Sequence, residues 1–435
     1  MSSATRTTLV FGAAGLIGQY LTTDLRRRGF RAIGIARRFT AQPEADDLEQ
    51  PIMTMTAPDL AALLRATQAD VIVNCLGVLQ DSPGSATHDV HVAFVRRLID
   101  AVRQSGRDIR LIQLSMPGRD TDDRTPFSRT KREAERLIRA SGLRHVILRP
   151  GFVIAPAAFG GSALMRALGA LPFALGEAEA SVPFAPVAIE DVAETVATIV
   201  DDSSIAGDAA TWDLMQREPV TAGEVVAYFR KVLAGPKPWL TLPSLLLTMG
   251  ARLGDVASWL GWSPPIRSTA LAELRRGVAG DPAVWIAATG ITPQTLADLA
   301  TRPATIQDKW FARLYLIKAV IIVALVIFWV ASGLIALTVS FNAAAAILSS
   351  HGFPRSLVVP ATAASSLMDI AIGVAIAFRR TSPAGLIAGI AASLFYMIGA
   401  AVLTPDLWIE PLGALVKTFP AIVLMLVALL ILDNR

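Results

Sequence analysis

Between residues 7 and 150 the chain repeats one pattern. Short apolar runs, TTLVFG (7–12), FRAIGIA (30–36), DVIVNCLG (70–77), IRLIQLS (109–115) and RHVILRP (144–150), alternate with longer stretches of mixed polarity. Continuous apolar runs of this length predict strands covered on both faces. The stretches between them, about residues 16–29, 58–67, 86–105 and 127–141, predict crossover helices, so residues 1–150 are expected to form an α/β core with a doubly wound parallel sheet. After Gly151 the pattern loosens into Gly- and Pro-rich loops (AAFGGS, GALPFALGE) and shorter helices. Residues 151–305 are therefore read as the remaining sheet elements and a small cap that shapes a substrate pocket.

From residue 311 the chain changes character. Only seven Lys/Arg and four Asp/Glu occur there, against 33 and 32 in the first 310 residues. Four apolar stretches, 319–341, 357–378, 384–404 and 412–432, each have about 20 residues, the length that crosses about 30 Å of hydrocarbon. Residues 319–432 are thus expected to be an all-α, four-helix transmembrane domain, with 306–318 as its linker and the lipid bilayer as a partner. Lys309, Arg313 and Lys318 precede the first stretch, Arg379 and Arg380 separate the second from the third, and Arg435 follows the fourth. The remaining two loops carry Arg355, and Asp406 with Glu410. The positive-inside rule then puts both termini in the cytoplasm. MSSATRTT at the start has no apolar core of a signal peptide. The single cysteine, Cys75, excludes an internal disulfide and suits a reducing compartment. Only six of 40 basic residues are Lys, a bias that points to a GC-rich bacterial genome and hence to a cell inner membrane. A net charge of +4 without a basic stripe gives nucleic acid no footprint.

Gly12, Gly15 and Gly18 follow the first strand and open the first helix. Glycines let the backbone turn tightly and approach a pyrophosphate, and the helix N-terminus offers free N–H groups and partial positive charge. The site is therefore read as dinucleotide-binding. At the end of the second strand, where an acid would bind a ribose 2′-hydroxyl, stand Arg37 and Arg38. They suit a 2′-phosphate and favour NADP(H) over NAD(H). A solvated basic face, with Arg26, Arg27, Arg28 and Arg31 turned to anionic lipid, is the other reading.

FGAAGLIG, NCLG (Asn74–Gly77), LIQLS (Leu111–Ser115), FSRTKREAE (Phe127–Glu135), LRPGFVIAP (Leu148–Pro156) and FAPVAIEDVAE (Phe184–Glu194) resemble the extended and atypical short-chain dehydrogenase/reductases. Within them the chain is most similar to the atypical branch related to an accessory subunit of respiratory complex I. The last 120 or so residues resemble DoxX-like four-helix membrane domains. The resemblance implies a Rossmann-like NAD(P)-binding fold. It also implies cofactor contacts at Gly12, Gly15, Leu16, Ile17, Gly18, Arg37, Arg38, Asn74, Leu76, Gly77, Ser115, Lys131 and Pro150. Members use a Tyr-x-x-x-Lys pair in which Lys holds the nicotinamide ribose and Tyr moves a proton. Carried over, Lys131 matches and Ser115 lies near the catalytic serine position, but Phe127 occupies the tyrosine position and has no ionisable group. Thr125 as cap and Pro126 in the first turn fit the helix start. A surface Lys131 paired with Glu135 at i+4 is the bland alternative.

Three readings follow. The chain is a membrane-anchored oxidoreductase acting on a lipophilic carbonyl or quinone-like substrate, or a non-catalytic NADP(H)-binding module, or a subunit that docks on a membrane complex. His88 and His91 in HDVH have the spacing of a metal pair but read as helix surface, so no metal is expected. Ser115 lacks a hydrolase elbow, Cys75 reads as a packed small hydrophobe, and Gly160–Gly161 as a loop that could also let a substrate approach. Asp369 and Tyr396 lie within the apolar stretches at depths of about 13 and about 18 Å from the inner side at 1.5 Å per residue. They form either a polar membrane site or a hydrogen bond between helices. Lys417, about 8 Å from the outer end, is expected to snorkel outward.

Overall fold

The structure, a computed structural model, describes residues 6–39, 42–81, 86–264, 266–409 and 415–432. Residues 1–252 with 265–312 form one compact unit, and residues 253–264 with 313–435 a second.

The first unit is built on a seven-stranded sheet. Its strands are β1 (Thr7–Phe11), β2 (Arg31–Ala36), β3 (Leu48–Glu49), β4 (Val71–Asn74), β5 (Arg110–Leu114), β6 (His145–Pro150) and a last strand, Ala209–Leu214. All neighbours are parallel. The order across the sheet is Ala209–Leu214, β6, β5, β4, β1, β2, β3. Helices α1 (Leu16–Arg27), α2 (Ala57–Ala66), α3 (Phe94–Ser105) and α4 (Pro126–Ala140) connect the first six strands. The chain winds outward from β1 to β3 and then restarts at β4 on the other flank of β1. Phe11 lies opposite Asn74 in register, so the carboxyl ends of β1 and β4 open the crevice where doubly wound sheets bind ligands.

Side chains alternate across the sheet, and each face has its own core. Val10, Val73, Ile112 and Val146 pack with Leu21 and Leu25 of α1 and with Val192 and Val196 of the helix Ile189–Asp201. Leu9, Phe11, Ile72, Leu111 and Ile147 pack with Leu60 and Leu64 of α2 and Leu98 and Val102 of α3. A fully buried side chain of this kind contributes about 1.5–3 kcal/mol. The strands and helices expected over residues 7–150 are present with ends shifted by a few residues, save that the stretch 86–105 contains a π-helical turn, Asp89–Ala93, ahead of α3. Leu48–Glu49 and Ala209–Leu214 complete the sheet without having been marked by apolar runs. Gly160 and Gly161, expected in a loop, instead open the helix Gly160–Ala170.

Helix α4 is fixed at both ends. Thr125 caps it by accepting from Ser128 N–H while the Ser128 hydroxyl accepts from Thr125 N–H, and Pro126 occupies the first turn, where a missing N–H costs nothing. Further along, Glu135 is fully buried. It accepts from Arg149 of β6 (Nε at 2.9 Å), Arg139 (3.1 Å), Arg132 (3.3 Å) and the Ser115 hydroxyl (2.6 Å).

The helices Ile306–Leu337, which belongs to the second unit from Arg313 on, Arg355–Ala377 and Ser382–Leu403 are long and apolar enough to cross a membrane. The fourth expected span is represented by a 13-residue helix, Thr418–Leu430. Its expected start falls among residues 410–414, outside the described residues, as do Glu410 and Arg435 of the charge count and residues 1–5. The bundle closes on Trp329, whose indole faces the Met425 sulfur at 3.4 Å, and Gly389 lets both approach: a Cβ there would lie 2.7 Å from that sulfur. Small residues at helix contacts are how bundles without a hydrophobic driving force gain packing.

Replacing Glu135 by Gln takes from the half-buried Arg149 its closest counter-charge and leaves it Asp213 at 3.8 Å, while Arg132 keeps Asp123 at 2.9 Å. The cost expected for breaking such a pair is about 3–5 kcal/mol. Thermal unfolding of the full chain in mild detergent should show a lower midpoint for the sheet-containing unit; an unchanged midpoint would show that the clamp is dispensable. Burial alone would raise the Glu135 carboxyl, but Arg149 and Ser115 outweigh it and hold the group below the usual carboxylate range. Its contribution is therefore complete above about pH 4.3 and is lost only as pH falls through the lower folded value.

Candidate functional site

The loop after β1 has the geometry of a pyrophosphate cradle. Gly12 takes φ +83° and donates to Ile35 O at 2.9 Å, tying the turn to β2. A Cβ on Gly18 would sit 2.3 Å from Gly12 O, so only glycine lets α1 pack against the turn. Gly15 caps α1 without a side-chain bond. The first N–H groups of α1, on Leu16, Ile17 and Gly18, therefore have no intrahelical acceptor. Arg37 and Arg38 stand exposed just past β2. A groove of about 410 Å³ runs beside the loop, lined by Ala13, Ala14, Thr22, Thr23, Arg26 and Asp47 among others. Asp47 is not free there, because Arg26 pairs with it at 2.6 Å and Gly34 N–H donates to it at 2.8 Å.

The opposite wall is assembled around Lys131. Its ammonium donates to Leu76 O at 3.1 Å and to Leu114 O at 3.0 Å, bridging the ends of β4 and β5. Gly77 lies against it, with an added Cβ only 3.3 Å from Nζ. Asn74 holds this edge by donating to Gln113 at 2.8 Å and accepting from Leu76 N–H at 3.2 Å. Pro150 is buried at the end of β6. The structure thus brings Asn74, Leu76, Gly77 and Lys131 together. It overturns the bland alternative for Lys131, which is buried and bonded to carbonyls, while Glu135 belongs to the arginines and Ser115. Burial pulls the Lys131 ammonium down to about 8, with the Glu135 carboxylate opposing in part. Two of its three donors are used, which leaves one N–H.

His91 is also corrected. It is not helix surface: it is buried, whereas His88 is exposed. Val78 N–H donates to His91 Nε2 at 3.1 Å, so Nδ1 carries the proton and faces the Thr130 hydroxyl at 2.8 Å. That hydroxyl donates onward to Pro126 O at 2.7 Å. Burial, helped by the Lys131 charge, pushes the ring down to about 2, so it is neutral at any ordinary pH. Its edge meets the half-buried Phe127 ring at 5.6 Å. Cys75 packs against the core, and burial pushes its thiol up to about 12. Ser115, by giving its only proton to Glu135, has none left for a substrate.

Sequence spacing missed a second polar group in this unit. Tyr20 of α1 and Tyr228 both sense Arg166, Arg302 and Glu190, and burial raises both phenols. Arg166 is buried over the Phe229 ring at 5.0 Å and donates to Ala155 O. These residues come from five separate stretches, and no period links them. In the helical unit, Tyr396 donates to Asp369 at 2.9 Å between the helices Arg355–Ala377 and Ser382–Leu403. Lys417 stands exposed at the start of Thr418–Leu430.

Residues 8–171 match the NAD dependent epimerase/dehydratase family, and residues 326–426 the DoxX-like family. The chain joins an epimerase-type NAD-binding domain to a DoxX-like domain. A 3-diazoavenalumate denitrifying reductase from Streptomyces sp is 27% identical over 309 residues, covering 59% of this chain and 95% of the relative. The mitochondrial NADH-ubiquinone oxidoreductase 40 kDa subunit of Neurospora crassa is 24% identical over 267 residues, covering 58% of this chain and 67% of that one. Among solved structures, MoeE5 in complex with UDP-glucose and NAD superposes with a TM-score of 0.52 at 22% identity, over 71% of this chain and 99% of that one. UDP-glucuronic acid 4-epimerase from Bacillus cereus gives 0.51 at 16%, over 71% and 100%. At these identities the structural likeness shows the fold.

Because the Lys131 value lies below the unfolded one, about 10.4, the native state resists its protonation, and stability gains from this residue as pH rises from about 8 to about 10.4. Relative to Lys131→Met, which cannot titrate, the native chain should gain melting temperature across that window. A difference that stays flat with pH would mean that Lys131 is solvated.

Proposed function

We propose that this chain is a membrane-anchored, NADP(H)-binding oxidoreductase that reduces a lipophilic acceptor of quinone type. The observation that carries the reading is Phe127 beside an oriented, buried Lys131. A bound nicotinamide dinucleotide supplies a hydride. Gly12, with its left-handed backbone, and Gly18, where no Cβ fits, suit the group's pyrophosphate. The free N–H groups of α1 would hold it, and Arg37 with Arg38 would meet a 2′-phosphate. The remaining Lys131 N–H would hold the nicotinamide ribose. Phe127 moves no proton, and neither Ser115 nor His91 has one to spare in these bonds. A simple ketone would become an alkoxide and needs an acid. A quinone becomes a phenolate, which leaves as an anion and takes its proton from water. The Streptomyces relative is itself named a reductase, of a diazo compound. The Tyr396–Asp369 pair offers a polar partner to such an acceptor's head group within the apolar bundle.

A second reading has its own support. With Phe127 and a committed Ser115, the domain could hold the dinucleotide without turning it over, as a structural or sensing subunit of a membrane complex; a relative carries the name of a subunit of NADH-ubiquinone oxidoreductase.

The full chain in mild detergent should bind NADPH more tightly than NADH, and Arg37→Ala with Arg38→Ala should erase about 1.5–3 kcal/mol of that difference, the worth of a hydrogen bond to a charged group. It should oxidise NADPH with short-chain quinones and not with simple ketones, Phe127→Tyr should raise the ketone rate, and Asp369→Asn should weaken quinone binding. Tight binding without turnover of any acceptor would decide for the second reading. Equal affinity for both dinucleotides would remove the role of the arginines.

We propose that both termini lie in the cytoplasm of a bacterial cell; Lys309, Arg313 and Lys318, and Arg379 with Arg380, flanking the apolar helices on one side, support this. A reporter that works only outside the cytoplasm, fused after Arg435, should be silent; strong activity would invert the topology.

A further inference from the structure

Residues 253–264 end well before the first long apolar helix, which starts at Ile306, yet they cluster with the helical unit. Their attachments are specific. Arg379 N–H donates to Leu260 O at 2.9 Å, and the Trp262 indole N–H donates to Ala377 O at 2.7 Å. The Arg379 guanidinium lies over the Trp262 ring at 5.7 Å and donates to Leu432 O at 2.9 Å, a carbonyl that Lys318 also reaches at 3.1 Å. Ala377 ends one long apolar helix, Leu432 lies just past the last helix, and Lys318 stands where the first becomes fully apolar. The segment is therefore held at the level where the bundle meets the polar boundary of a membrane. Orphan carbonyls at those helix ends receive the donors they need.

At that level the segment turns an apolar face outward. Leu253, Val256 and Trp259 follow one another at i, i+3 and i+6 of the helix Ser244–Trp259, and they are 68%, 49% and 82% exposed. Three large apolar side chains so exposed are costly in water, and Arg379 has already anchored the chain beside them. We infer that residues 253–264 are an interfacial membrane segment, with Leu253 and Val256 in the acyl region and Trp259 at the headgroup level of the bilayer that the long helices cross. Tryptophan prefers that level because its ring is apolar and its N–H is not. The occupant is the lipid leaflet, by continuity with the helix ends to which the segment is bonded. The inference goes beyond the proposed redox reading and rests only on the helical unit lying in a membrane.

The test uses the full chain in phosphatidylcholine nanodiscs, with Cys75→Ala as background and spin labels on Val256→Cys or, as the solvent reference, Lys237→Cys. The label at 256 should collide with oxygen several-fold more than with a water-soluble nickel complex, and the label at 237 should show the reverse. Nickel access at 256 equal to that at 237 would put the face in water, and exclusion of both reagents would put it against protein; either overturns the assignment. In the otherwise native chain, brominated lipids should quench tryptophan emission less after Trp259→Phe. Unchanged quenching would remove Trp259 from the lipid.

Discussion

A carboxylate with no exposed surface has to be paired, and Glu135 is paired from three sides: by Arg149 on β6, by Arg132 and Arg139 on its own helix, and by Ser115 just past β5. Withdrawing such a charge from water costs several kcal/mol, recovered only in good geometry. The geometry here sets the rotation of α4 about its axis. Phe127, Lys131 and Glu135 stand four residues apart, on one face of that helix. The rotation that satisfies Glu135 carries Lys131 inward to the carbonyls of Leu76 and Leu114, and Phe127 to the edge of His91. The crevice wall at the switch point is thus set by a residue that does not line it.

The charge left in the wall is correspondingly simple. His91 is neutral because burial, and then the Lys131 charge, oppose its protonation, and Cys75 keeps its proton because it is buried. Lys131 is hydrogen-bonded to carbonyls and to no carboxylate, and below about pH 8 it carries a positive charge at the ends of β4 and β5 that Glu135 offsets only in part. A fixed positive charge in a partly desolvated place favours an anion forming beside it and needs no reorganisation to do so. On the proposed reading, that is the property wanted where no side chain hands over a proton: a product anion would be stabilised by field, not by protonation.

How far the sequence could be read depended on the period each element imposes. Strands covered on both faces leave unbroken apolar runs, and these located β1, β2, β4, β5 and β6. Leu48–Glu49 is a two-residue edge strand with a polar half, and Ala209–Leu214 alternates around Asp213 and Thr211, so neither left a run. The Gly12–Gly18 turn was legible because close approach permits so few residue types. His91 was misread because four of its neighbours, Asp89, Val90, Val92 and Ala93, belong to a π-helical turn, in which the 3.6-residue count that separates buried from exposed faces no longer applies. The arginines around Glu135 were invisible, since Arg149 and Arg132 look like ordinary surface charges until a buried acid gives them a reason to be inside.

The contrast between the two units shows what makes a distant pair legible. Tyr20, Arg166 and Tyr228 stand on three separate helices of the first unit, both tyrosines within electrostatic reach of Arg166 and Arg302, and the loops that join those helices have no fixed pitch, so no count along the chain could have linked them. Asp369 and Tyr396 are just as far apart in type of element, on two different helices, and yet simple counting placed them at nearly one depth. Each apolar helix rises 1.5 Å per residue, and a shared turn at Phe378–Thr381 gives both helices a common origin. With rise and origin both fixed, depth becomes a function of residue number, and an acid in an apolar helix must look for its partner at its own level. The Tyr396 hydroxyl, 2.9 Å from Asp369, is where that constraint leads.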